Sequence, residues 1–199
     1  MNTISPMAFV HPEAQLGDNN VIGPFCYIDR NTVIGDNNLI MAYVHIAHDC
    51  VVGSNCVFAN NTTLAGHIIV GDWVVLGGKT AILQFVHIGS HVITMGGSLV
   101  NKDVPPFVKA GRYPISYTGV NSLGLQRRGF SPAEINNIQD IYRILYQKGL
   151  IVSHAVELIK EQYGNTNEGK IVLSFIGNAN TGLMKGYTYM SKREHDPEA

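Results

Sequence analysis

No stretch of this chain approaches the roughly 18 consecutive apolar residues needed for a membrane-spanning helix, so stable membrane insertion is not expected. Charge is scarce too: Asp, Glu, Lys and Arg make up 15% of the 199 residues, against roughly 25% in an ordinary globular domain. The three cysteines are odd in number and lack CxxC spacing, which points away from a disulfide framework and towards a reducing, cytoplasmic compartment. The first residues, MNTISPMAFVHPEA, carry neither a basic region nor a long apolar one, so a secretory signal peptide is not expected. A net charge of -1 makes nucleic acid a poor partner. Proline is limited to 8 residues beside 45% hydrophobic residues, a composition that folds.

The missing charge is unevenly missing. Residues 1–100 hold two cations, Arg30 and Lys79, against six acids, whereas residues 101–199 hold twelve cations and nine acids. The charge-poor half is a repeat. Stepping by six from Val10 to Val100 meets a large apolar residue at fifteen of sixteen positions, where 45% hydrophobic content would give about seven. Glycine follows the aliphatic at 17, 23, 35, 53, 71, 77 and 89, and four residues after it comes a small or β-branched residue in most hexads.

A six-residue unit makes one short face and one corner. Three faces close a triangular coil of about 18 residues, with aliphatics inward and Gly or Asn allowing positive φ at corners. Coils must stack to bury those faces, each aliphatic contributing about 1.5–3 kcal/mol. The reading is therefore a mainly β protein: a left-handed parallel β-helix of hexapeptide repeats over 1–106. Cys26, Cys50 and Cys56 share one inward slot, which assigns them to core packing. A connecting segment, read as irregular, covers 107–130, and a small C-terminal α-helical domain covers 131–199. There Ser131-Pro132-Ala133-Glu134 forms a capping box. Ile135, Ile138, Ile141, Tyr142 and Leu145 follow at helical spacing up to Gly149. Further helices are expected over 153–163 and 168–177, and the polar tail after Lys185 is read as frayed.

An 18-residue coil turns sequence arithmetic into geometry. His48, Gly66 and Gln84 fall in one column, Asp49, His67 and Phe85 in the next, and His45 shares its column with Thr63 and Ala81. This gathering suits acyl transfer. A neutral imidazole takes a proton from an attacking hydroxyl near pH 7, a carboxylate fixes its tautomer, and a bare glycine N–H receives the developing oxyanion. Two other readings stay open here: exposed corner histidines without a task, and a zinc-dependent hydratase drawing ligands from His87 and His91.

The segments His45-Ile46-Ala47-His48-Asp49-Cys50, Ala59 to His67, Asp103-Val104-Pro105-Pro106, Gly119-Val120-Asn121 and Gly124 to Phe130 resemble the acyl-[acyl-carrier-protein]–UDP-N-acetylglucosamine O-acyltransferase family, from about residue 8 to about 183. The resemblance implies a homotrimer with active sites between subunits. It also implies transfer of a 3-hydroxyacyl chain from the phosphopantetheine thioester of acyl carrier protein to the sugar 3-hydroxyl, the first step of lipid A synthesis, with no further cofactor and no metal. Carried over by position, His48 is the general base, Asp49 its partner and Gly66 the oxyanion amide. His45, His67 and Gln84 contact substrate, Gly96 lies at the acyl-chain ruler, and Asn121 and Arg128 face the nucleotide. Arg127 and Arg128 form a basic patch for phosphopantetheine and the acidic carrier protein.

The chain departs from the family pattern at Leu83, where a histidine is usual, and at Leu123, where an acid is common. Between Asn38 and Leu39 it is shorter by about four coils, on the order of 70 residues, yet the hexads pass through Ile34, Ile40 and Ile46 without a slip. These departures motivate an alternative: a weak or inactive relative that binds acyl carrier protein or sugar nucleotide.

Overall fold

A computed structural model of the chain describes residues 1–186; the tail read as frayed falls on residues 187–199, outside that range. Seventeen two-residue strands run from Thr3–Ile4 to Leu99–Val100, one every six residues. Up to Ala81–Ile82 each pairs in parallel with the strand 18 residues on, as Thr3 does with Val21, Tyr27 with His45 and Ile69 with His87. The strands sort into three sheets, the faces of a left-handed parallel β-helix of about 6 turns. Across the shortened region the register is unbroken, with Val21 on Leu39 and Val33 on Val51.

The inward aliphatics are sealed, Ile28, Ile46, Leu64 and Ile88 each being 0% exposed. The three thiols lie in the core as expected. Cys50 and Cys56 donate to the carbonyls of Ala65 and Gly71, and burial pushes both thiols up to about 11. Neither is a thiolate nucleophile.

Asparagine takes the left-handed corner position as expected, at Asn19, Asn31, Asn37, Asn55 and Asn61, but the glycines that follow the aliphatics do not. The left-handed residue of each corner recurs every six positions from Asn19 to His91 and is often large: Phe25, Tyr43, His67, Trp73 and Phe85 all have φ near +60°. The glycines after the aliphatics are needed for close approach instead. A Cβ on Gly23 would stand 2.9 Å from the Ala42 nitrogen, one coil on.

Residues 107–130 are not irregular. The strand Val108–Gly111 pairs with Ile93–Thr94 and turns back antiparallel through Ser116–Val120, extending one coil face as a hairpin. Helix α1 (Ser122–Arg127) follows, then α2 (Pro132–Gln147), α3 (Val152–Tyr163) and α4 (Asn167–Gly177). The capping box of α2 is formed in full, and the Tyr142 hydroxyl donates to the Pro106 carbonyl at 2.6 Å, fastening α2 to the end of the coil. Asp103 clasps the other side. Fully buried, its carboxylate accepts from the backbone N–H groups of His87, Asn180 and Thr181 and from the Thr181 hydroxyl.

Candidate active site

The corner that leads from strand His45–Ile46 into strand Val51–Val52 carries Ala47, His48, Asp49 and Cys50. Asp49 is the left-handed residue there, with φ of 59°. That conformation turns its carboxylate back onto the preceding imidazole. His48 Nδ1–H donates to Asp49 Oδ2 at 2.7 Å, which fixes the tautomer and leaves Nε2 as the basic nitrogen. Asn31, 18 residues earlier, donates to the other carboxylate oxygen at 3.2 Å. The His48 bond first, then the Asn31 bond, hold the Asp49 carboxyl below its usual range, so it is ionised at neutral pH.

His67 stands one coil above Asp49, its Nε2 3.9 Å from Asp49 Oδ2 and its ring edge-on to His48 at 5.1 Å. Phe85 stacks on its other face at 5.1 Å. Gly66 lies directly over the base: a Cβ there would fall 2.7 Å from His48 Cε1 and 2.9 Å from Nε2. Any other residue would displace the ring. Among the described residues the Gly66 N–H donates to no protein acceptor. Gln84 is exposed in the next coil of the same column. The expected grouping of His48, Asp49, Gly66, His67 and Gln84 is therefore formed, with His45 beside it.

His45 belongs to an outward column whose rings stack, Phe9 on Tyr27 at 5.0 Å and Tyr27 on His45 at 5.4 Å. Beyond His45 the column shrinks to Thr63 and Ala81, and the space so freed is an apolar cavity of about 250 Å³. Leu83, Leu99, Asn101 and Tyr113 complete its walls. Leu83 is thus an exposed wall of this cavity. Gly96 is exposed on the neighbouring corner and does not line it.

The structure does not bring Asn121, Arg127 and Arg128 to this corner. The Arg128 guanidinium lies over Trp73, 5.2 Å from the ring centroid, and its Nη1 is 3.4 Å from His91 Nδ1. Trp73 and His91 are left-handed residues of a different corner, between strands Ile69–Val70 and Val75–Leu76 and one coil further on. Asn121 is buried, and its amide donates to the His91 carbonyl at 2.9 Å. Arg127 closes the last turn of α1 and is exposed. Leu123 is likewise exposed on α1.

His87 and His91 do not converge: the ring of His87 rests on Phe175, and that of His91 lies between Phe107 and Phe130. Among the described residues, the cluster with metal-ligand spacing is His48, Asp49 and His67, with atoms within 4.8 Å of one another. Asn31, Trp73 and the Phe9–Tyr27 stack went unread in the sequence. The 18-residue step that grouped the histidines would have found Asn31 beneath Asp49. Trp73 had no such signal, because its partner Arg128 lies outside the repeat.

Residues 103–184 match the family described as UDP N-acetylglucosamine O-acyltransferase, domain 2, and residues 31–66 match the bacterial transferase hexapeptide repeat. A UDP-N-acetylglucosamine acyltransferase of Bacteroides fragilis is 32% identical, with a TM-score of 0.73 over 92% of this chain and 100% of that one. The chain belongs to the UDP-N-acetylglucosamine acyltransferase family. The Francisella novicida member is 28% identical, with the same TM-score of 0.73, over 92% of this chain and 94% of that one. The acyltransferase of Chlorobaculum parvum is 42% identical over 81 residues, which are 40% of this chain and 31% of that protein. The chain therefore matches under a third of the length of that curated relative.

Proposed function

We propose that this member of the family transfers a 3-hydroxyacyl chain from acyl carrier protein to the 3-hydroxyl of UDP-N-acetylglucosamine, as the first step of lipid A synthesis. The observation that carries the reading is His48, with Nδ1 bonded to Asp49 and Nε2 beneath the free amide of Gly66. The sugar hydroxyl gives its proton to Nε2 as its oxygen attacks the thioester carbonyl. The imidazolium is stabilised by ionised Asp49, and the oxyanion by the Gly66 N–H. Collapse breaks the C–S bond, and the proton passes from His48 to the departing thiolate. Neither a protein nucleophile nor a metal takes part.

The apolar cavity beside His45 supports an acyl substrate, since Ala81, Leu83 and Leu99 offer nothing to a polar one. Exposed Arg127 suits the acidic carrier protein. The separation of Arg128 and Asn121 from His48 supports a homotrimer, in which one subunit's Trp73 corner faces its neighbour's His48 corner. Three buried, unpaired thiols accord with the cytoplasm, where both substrates are made. Among the described residues no helix is long and apolar enough to cross a membrane. The intact base, carboxylate and glycine leave no specific support for an inactive binding protein.

His48→Ala is the test. Turnover with UDP-N-acetylglucosamine and 3-hydroxyacyl carrier proteins should fall by about 10²-fold or more, with the melting temperature unchanged because His48 is part-exposed. A variant keeping most of the rate would overturn the assignment.

A further inference from the structure

The corner that holds the base is short of positive charge. Over its six coils, at 11–14, 29–32, 47–50, 65–68, 83–86 and 101–104, it carries the acids Glu13, Asp29, Asp49 and Asp103 and two cations: Arg30, one coil below His48, and Lys102, three coils above it and donating to the Thr181 carbonyl at 2.6 Å. Asp49 is held ionised by its hydrogen bonds. A sugar nucleotide brings two further negative charges on its diphosphate, and the cations assigned from the resemblance stand on another corner of the same chain. A neighbouring copy can bring Arg128 to this corner; within one chain the cation next to the base is Arg30.

Arg30 occupies the column of His48 one coil below, as the pairings of Tyr27 with His45 and Val33 with Val51 require. Its Cα is thus about 4.8 Å from that of the base, the spacing of neighbouring strands. Its carbonyl accepts the Asp49 N–H at 3.2 Å, which locks the two corners together. Its guanidinium, though, is exposed, and among the described residues it makes no hydrogen bond, ion pair or ring contact. Among the described residues the adjacent Asp29 makes no ion pair with it; its carboxylate accepts the Arg30 backbone N–H at 2.7 Å instead. The coils by which this chain is shorter would otherwise separate the Arg30 turn from the His48 turn. Their loss delivers a free guanidinium to the foot of the base.

We propose that Arg30 binds the diphosphate of the sugar nucleotide and so positions the sugar hydroxyl at His48. This rests on the acyl-transfer reading and names the residue that anchors the acceptor substrate. A guanidinium forms paired charge-assisted hydrogen bonds with phosphate oxygens, a geometry lysine cannot copy. The Phe9–Tyr27–His45 stack walls the adjoining face with rings that carry no negative charge.

The test uses Arg30→Ala and Arg30→Lys in the full chain. Arg30→Ala should raise KM for the sugar nucleotide about tenfold or more, the loss of a hydrogen-bonded charge pair. It should leave KM for the acyl donor and the melting temperature unchanged and alter kcat by less than about threefold. Arg30→Lys should recover part of the loss. Calorimetric titration should show weakened binding of UDP and unaltered binding of uridine, which has no diphosphate. Unchanged KM and UDP affinity, or equal losses for UDP and uridine, would overturn the proposal. If the wild type binds UDP through Arg30 yet turns over no acyl substrate, the acyl-transfer reading fails while the Arg30 assignment stands.

Discussion

His91 shows how far a single corner residue of the coil can be removed from water. Its ring stacks on Phe107 at 5.6 Å, meets Phe130 edge-on, and lies beside the Arg128 guanidinium. Burial first, and Arg128 second, push its pKa from 6.5 down to about 4, against an opposing pull from Asp72. In this window the unfolded chain binds a proton at His91 that the native state refuses. Stability therefore rises with pH between about 4 and 6.5 and is lost on acidification through that range. The steepest slope is at most about 1.4 kcal/mol per pH unit and the whole loss at most about 3 kcal/mol, because solvent screens a part-exposed ring. Asp49 stays ionised there, its pKa being lowered. Urea midpoints measured from pH 7 to pH 4.5 should fall for the wild type and fall less for His91→Phe, whose ring keeps the stack. Equal slopes in the two proteins would show that the part-buried imidazole is not responsible.

At the scale of the element, the coil depends on polar ladders as well as aliphatic ones. The side chain of Asn38, 2% exposed, accepts the Cys56 N–H at 2.7 Å and donates to the Gly53 carbonyl at 3.0 Å. Its own N–H goes to Asn20 one coil back. Replacing Asn38 by Ala strands a buried donor and a buried acceptor, each costing about 1–3 kcal/mol. The variant should lose at least about 2 kcal/mol by urea denaturation, and a loss under about 0.5 kcal/mol would show that the ladder carries no load. Little in the sequence announced this. The hexads fixed by Val10 to Val100 were legible because inward aliphatics repeat strictly, and 18-residue arithmetic then placed His48, Gly66 and Gln84 correctly. An inward asparagine looks like a corner asparagine in a one-dimensional pattern; only the stacked coil shows Asn38 facing in and Asn37 facing out with φ of 59°. The hairpin Val108–Gly111 to Ser116–Val120 was missed for a related reason. It takes its parallel partner, Ile93–Thr94, from the coil, and its antiparallel half departs from the six-residue period that made everything before it readable.

Over the whole molecule, the proposed acyl transfer would draw on two corners, one on the charge-poor coil and one beside the basic stretch at its exit. Lys102, Lys109, Arg112, Arg127 and Arg128 face a single acid, Asp103, across 101–130, and Asp103 is spent on its clasp. Arg128 is pinned over Trp73, so it cannot swing to the His48 corner of its own chain without giving up that contact and its partly buried seat. A second copy can supply it, since a ring closed by threefold symmetry sets each His48 corner against a different corner of its neighbour. This arrangement predicts complementation. His48→Ala and Arg128→Ala proteins, each weak alone, should regain activity when co-expressed and assembled together. Every mixed trimer has one of its three sites with both residues intact, so about a third of the wild-type rate should return in the heterotrimer. Rate recovery must track the heterotrimer peak isolated through two different affinity tags. If the mixed species is as weak as either parent, both residues act within one chain. A wild-type monomer by light scattering at micromolar concentration would remove the shared site altogether.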